Sequence, residues 1–207
     1  DAMGYGDFRG NGGMALLSRV PIDTDNVADF TGLLWRDLPG AQMPQMNGQP
    51  FPSKEAMAIQ RLASAGFWVV PVLPEGGPPF ALLASAATTP AFDGPEDRNG
   101  LRNRDEIRFW SLYLDGAFGA APSSFVLAAK LNADPEDGDG DHATIRALLS
   151  DPRLQDPRPA SAGGAWAADP SHRGDPSLDT AAWPGSPQGN LRVSYVLPSA
   201  DWTVTGA

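Results

Sequence analysis

Apolar residues along the chain fall into short runs that glycine, proline and charged residues separate. Residues 79–84 and 125–129 are apolar throughout, and residues 68–73 are interrupted only by Pro71. Short apolar runs between turn residues are typical of buried strands, and unbroken apolar character indicates burial on both faces of a sheet. Pro71 predicts an edge strand or a bulge, because proline has no N–H to donate to a neighbouring strand.

Two more strands are predicted nearer the ends of the chain. Residues 13–22 form an apolar run between a glycine-rich opening and a proline, which favours a buried strand over a helix. Residues 191–198 alternate between apolar and polar side chains, a pattern typical of a strand with one exposed face.

Helical spacing is clearest after Asn103, which is predicted to be an N-cap. Ile107, Trp110 and Leu114 then share one helical face, and Gly116 predicts the end of the helix.

Two shorter helices are predicted on either side of it. One is capped by Ser53 and runs toward Leu62, and the other runs from Ala143 to Leu149 after Asp141. Strands interleaved with helices indicate a layered α/β domain.

The segment 151–190 interrupts this alternation. It carries seven prolines and five glycines without sustained periodicity. We interpret it as a long ordered loop excursion with Trp166 and Trp183 on its surface. Residues 1–207 are otherwise predicted to form a single domain.

Charge and composition limit the partners and the chemistry. With 25 acidic and 15 basic side chains, the chain has a formal net charge of -10, which disfavours binding to nucleic acid. No apolar run approaches the roughly 20 residues that a membrane-spanning helix needs, so no membrane partner is expected. The absence of cysteine excludes thiolate chemistry but leaves the compartment open, with a soluble secreted or periplasmic protein among the options.

The densest acidic segment is a weak candidate for a calcium site. Asp137, Asp139 and Asp141 are spaced two residues apart, so their carboxylates could converge on a hard cation. The positions that a calcium loop gives to glycine and to its last glutamate are His142 and Leu148. The alternative is a solvated acidic turn that caps the following helix.

Several motifs resemble the endonuclease/exonuclease/phosphatase family, in particular a bacterial branch with the pattern HATPPVFDGPEDRNG. The matching segments stand in family order across nearly the whole chain: GMALLSR at 13–19, FDGPEDRNG at 92–100, DEIRFW at 105–110, LNADP at 131–135 and YVLP at 195–198.

The resemblance implies a DNase I-like four-layer α/β sandwich, in which helices flank two packed mixed sheets. It also implies hydrolysis of phosphate esters assisted by Mg or Mn and by an aspartate–histidine pair. Relative to the family, the chain is expected to be incomplete at both ends. Three explanations stay open: the chain is a fragment, it is a naturally shortened member, or another polypeptide supplies the missing layer. Since an exposed sheet edge recruits partners, the third makes another chain that completes the sheet a predicted partner.

Most family catalytic positions are replaced. The family histidine is Ala86 here, and the two family aspartates are Lys130 and Ser194, while the family asparagine is retained as Asn132. Lys130 either replaces its aspartate structurally, or it substitutes for the metal and binds phosphate directly.

These replacements lead to two functional hypotheses. The first is a scaffold without a cofactor that has lost metal-dependent hydrolysis and serves as a binding or structural module. The alternative is an active Mg- or Mn-dependent phosphodiesterase or phosphatase that acts on a small phosphate ester. Its altered site would use Asn132, Asp134 and a substrate-binding loop with Arg98 and Asn99.

Overall fold

The computed structural model describes residue 8 and residues 11–207. The strands are β1 (Ala28–Asp29), β2 (Gln45–Met46), β3 (Gln49–Pro50), β4 (Phe67–Val72), β5 (Phe80–Ala86), β6 (Phe125–Lys130), β7 (Ala181–Ala182), β8 (Asn190–Leu191) and β9 (Ser194–Pro198). The α-helices are α1 (Lys54–Ile59), α2 (Arg98–Leu114), α3 (His142–Leu149) and α4 (Ala162–Trp166). Short 3-10 helices cover Thr24–Asn26, Trp35–Asp37 and Pro176–Leu178.

Five strands form one mixed sheet in the order β1-β4-β5-β6-β9. Strands β5 and β6 are parallel, and every other pair in this sheet is antiparallel. Parallel neighbours need a crossover, which α2 supplies. The pairs β2–β3 and β7–β8 are separate two-stranded ribbons, so the described chain is a mixed α/β fold built on one large sheet.

Helix α2 packs on one face of the sheet and forms the core with it. The Phe67 and Phe109 rings are stacked with their centroids 4.2 Å apart. The Trp110 indole donates a hydrogen bond of 2.9 Å to the Ser85 hydroxyl. Leu83 and Leu127 of the central strands are completely buried in this core.

The opposite face is apolar but incompletely covered, and we call it the open face. Strand register places six of its side chains side by side: Trp68, Leu82, Ala84, Val126, Ala128 and Val196. Five are half-buried and Val196 is 60% exposed. The prediction that β5 and β6 are buried on both faces is therefore wrong, because α2 covers only one face of the sheet.

The predicted strand at 13–22 is also wrong. Only Ile22 pairs, through an isolated bridge to Val72, while Leu17 is 89% exposed. An apolar run becomes a strand only where a neighbouring strand can accept its hydrogen bonds.

Helix α2 begins five residues before the predicted N-cap. Asp97 occupies the N-cap position without a capping side chain, and the Asp93 carboxylate instead accepts from the Asn99 N–H at 2.5 Å. Asn103 is completely buried inside the helix. The predicted end is confirmed, because Gly116 has a φ of +84° just after the last helical residue.

The other predicted elements are found with shifted boundaries. Ser53 caps α1 as expected, but this helix stops at Ile59 because residues 60–62 pair with residues 33–35. Asp141 caps α3. The run 191–198 splits into β8 and β9, and segment 151–190 contains α4, a 3-10 helix and β7.

Candidate functional site at the strand ends

Three positions that the resemblance assigns to replaced catalytic residues lie side by side at one end of the sheet. Ala86 pairs with Lys130 across β5 and β6, and Lys130 pairs with Ser194 across β6 and β9. Adjacent strands are about 4.8 Å apart, so a methyl, an ammonium and a hydroxyl group occupy neighbouring positions. Lys130 and Ser194 are both exposed.

Asn132, which the resemblance assigns to a retained family position, joins the loops that follow β5 and β6. Its side-chain amide donates to the Ala87 carbonyl at 2.7 Å and lies 3.5 Å from the Thr89 hydroxyl. Its φ of +52° is a left-handed conformation in which asparagine is enriched.

Asn103 on α2 also forms hydrogen bonds to these two loops. Its amide donates to the Thr88 carbonyl at 2.7 Å and to the Leu131 carbonyl at 2.8 Å. Asn103 was predicted to be a helix cap, and this role was not predicted. The available signal was its spacing from Ile107 and Trp110, which puts an asparagine on the buried face of the helix.

Glu106, one helical turn further on, holds backbone atoms of two segments. One carboxylate oxygen accepts from the Ser64 N–H and hydroxyl at 2.7 and 2.8 Å, and the other accepts from the Thr88 N–H at 2.6 Å. Burial raises the pKa of Glu106, while Arg102 and these three donors oppose the rise. Asn103 and Glu106 together fix where the strand-end loops run.

A cavity of about 180 Å³ opens next to these loops. Residues 89–92 form one side, and side chains between Trp183 and Val193 form another. Lys130, Asn132 and three aspartates supply most of its charged and polar lining. The cavity thus combines an apolar wall with one ammonium group and three carboxylates.

Two of these aspartates are already bonded to the backbone. The Asp134 carboxylate accepts from the Arg192 N–H at 2.8 Å and from two N–H groups of its own loop. The Asp137 carboxylate accepts from the N–H groups of Arg173 and Gly174, at 2.9 and 2.7 Å.

The three predicted calcium ligands do not converge. Asp137 bonds to backbone as described, Asp139 accepts from Gln188, and Asp141 accepts from N–H groups at the start of α3. Among residues 11–207, no three histidine, aspartate or glutamate side chains are placed to hold a metal ion.

The row of Ala86, Lys130 and Ser194 does not fit a divalent metal either. A methyl group offers no ligand, and an ammonium group repels a cation. Nearby, burial and the charges of Asp134 and Asp137 raise the pKa of Asp179 to about 6. Negative potential is therefore present around the acidic segment, and Asp134 and Asp137 line the same cavity as Lys130.

Neither of the predicted substrate-binding residues lines the cavity, although Asn99 is bonded to Ala91, which does. The Asn99 amide donates to the Ala91 carbonyl at 2.8 Å, and the Arg98 guanidinium lies 3.4 Å from the Gln60 side-chain oxygen. Asn99 is buried. Their role in substrate binding stays a prediction.

A family model for the endonuclease/exonuclease/phosphatase family matches residues 2–207, and the chain belongs to this family. No curated protein matches the chain. None of the helices in the described part of the chain combines the length and apolar composition needed to cross a bilayer.

The chain is also similar to solved structures. An endonuclease/exonuclease/phosphatase from Beutenbergia cavernae is 15% identical with a TM-score of 0.50, and the match covers 88% of this chain but 39% of that one. The human Nocturnin catalytic domain is 14% identical with a TM-score of 0.42, over 88% of this chain and 49% of that one. The chain thus spans less than half of either structure.

Proposed function

We propose that the chain is a phosphoesterase-family scaffold that has lost metal-dependent hydrolysis and binds small phosphate esters at the strand-end cavity. The observation that carries this proposal is the row of Ala86, Lys130 and Ser194, in which an exposed ammonium takes the central position. A lysine binds phosphate as a point charge without a metal. We also assign the chain to the bacterial branch, on the segment FDGPEDRNG.

An active enzyme with an altered site has less support. Both oxygens of Asp134 already accept backbone N–H groups, and Arg98 and Asn99 are not in the cavity lining. Loss of one general base or one electrostatic stabiliser typically costs a factor of about 10² to 10⁴ in rate.

The chain is therefore expected to bind phosphate esters without hydrolysing them. With Mn²⁺ or Mg²⁺, turnover of bis(p-nitrophenyl) phosphate should stay at the background rate, while titration calorimetry should detect phosphate-ester binding that EDTA leaves unchanged. Lys130→Met should abolish this binding, and Lys54→Met, at the other lysine of the chain, should not. Hydrolysis that EDTA suppresses would contradict the proposal.

A second proposal concerns the fold. We propose that another polypeptide with an apolar sheet face packs on the open face and completes the four-layer sandwich. The support is the apolar character of the open face and the 60% exposure of Val196 at its edge. Two sheets that pack face to face bury such surfaces against each other.

This proposal predicts that the isolated chain has an exposed apolar surface that promotes association. The 207-residue chain should bind a hydrophobic dye and self-associate, and Val196→Lys should reduce both. Ile59→Lys is the matched control, since Ile59 is 64% exposed on α1. Equal effects of the two substitutions in dye binding and sedimentation would contradict a role for the open face.

A further inference from the structure

Phe92 has an unusual conformation beside the cavity. Its φ is +67°, and its side chain is 83% exposed although it lines the cavity. Positive φ is rare for a bulky residue because it brings the side chain close to the backbone. Such strain concentrates at binding and catalytic sites, where the surrounding structure holds it.

A second aromatic residue lines the same cavity from a distant part of the chain. Trp183 follows β7 and is 37% exposed. Pro90, Leu191 and Val193 add further apolar lining. The cavity thus carries two partly exposed rings and an apolar wall, together with the ammonium of Lys130 and the amide of Asn132.

The size of the cavity limits what it can hold. Apolar cavities of about 150 Å³ bind benzene, so a volume of about 180 Å³ suits one six-membered ring with a small substituent. An oligonucleotide or a long acyl chain is too large to be enclosed.

The cavity lining carries three carboxylates and one ammonium group, so Lys130 is the position that favours an anionic substituent. The Asp134 and Asp137 carboxylates point at backbone N–H groups, and Asp139 is exposed and bonded to Gln188. In the part of the chain that the structure describes, no ion pair joins Lys130 to a carboxylate. Its ammonium is the cationic group of the lining.

We infer that the cavity binds monoaryl phosphate esters, with the aromatic ring against Phe92 and Trp183 and the phosphate at Lys130. This inference rests on the proposed function and adds the class of ester. Stacking on an aromatic side chain contributes enough affinity to distinguish an aryl ester from an alkyl ester by about tenfold.

The test compares phenyl phosphate with methyl phosphate by titration with phosphorus NMR detection. The unmodified chain should bind phenyl phosphate about tenfold more tightly, and Phe92→Gly and Trp183→Ala should each bring the two affinities together. Phe92→Gly should also raise Tm, because glycine adopts positive φ without strain. Trp166→Ala is the control, since Trp166 is 91% exposed and outside the cavity lining.

The outcomes separate the inference from the proposed function. Equal binding of the two esters by the unmodified chain would overturn the aryl preference and leave phosphate-ester binding intact. Binding of neither ester would overturn both. Loss of the preference in Trp166→Ala would also overturn the assignment of the ring to Phe92 and Trp183.

Discussion

Glu106→Gln is expected to lower the free energy of unfolding by about 3 kcal/mol, the effect of breaking a buried charged network. The carboxylate accepts three hydrogen bonds, from Ser64 and Thr88. An amide has one oxygen and one NH₂ group, so at least one buried N–H donor would face another donor. Arg102 would also lose a neighbouring negative charge. Urea denaturation followed by circular dichroism measures the change.

Glu136→Gln is the matched control for this prediction. Glu136 pairs with Arg146 at 3.0 Å, and both side chains are about half exposed. Exposed ion pairs contribute at most about 1 kcal/mol, so the control should be close to the unmodified chain. Equal destabilisation by both substitutions would show that Glu106 does not hold the strand-end loops.

Introducing the residues that the family resemblance assigns to positions 86, 130 and 194 is expected to create a cation site. The triple variant Ala86→His, Lys130→Asp, Ser194→Asp replaces one positive charge with two carboxylates and an imidazole on three adjacent strands. A unit charge about 5 Å from a cation changes its energy by a few kcal/mol at an effective dielectric constant near 20. Mn²⁺ affinity should therefore rise by about a hundredfold or more, as measured by titration calorimetry.

Lys54→Asp controls for the reversal of a lysine charge. It makes the same charge reversal on α1, at an exposed position. If the control raises Mn²⁺ affinity as much as the triple variant, the three positions do not form a common site. Recovery of hydrolysis is not part of this prediction.

The central strands were predictable from sequence because their apolar runs coincide with the core. The runs 68–73 and 125–129 lie within one residue of β4 and β6. The run 13–22 has the same local character, but it lacks the neighbours that would pair with it. Sequence also could not show that α2 starts at Arg98, because the acceptor for the Asn99 N–H is Asp93 in the preceding loop.

The site was predictable only through the family resemblance. That resemblance singled out Ala86, Lys130 and Ser194, and the strand register shows that they are adjacent. Phe92 and Trp183 were not identified as site residues. The residues around Phe92 do not indicate that its φ is positive. Phe92 and Trp183 are also far apart in the sequence, so the sequence does not show that they line one cavity.

The hydrogen bonds of Asn103 and Glu106 go mainly to main-chain atoms of the strand-end loops, not to the side chains of the replaced residues. Substitution at Ala86 or Lys130 therefore leaves these supports in place. Architecture and chemistry are encoded by separate residues at this end of the sheet. A lineage could exchange its reactive groups here while inheriting the same backbone, and new reactivity could be installed by design on that unchanged framework.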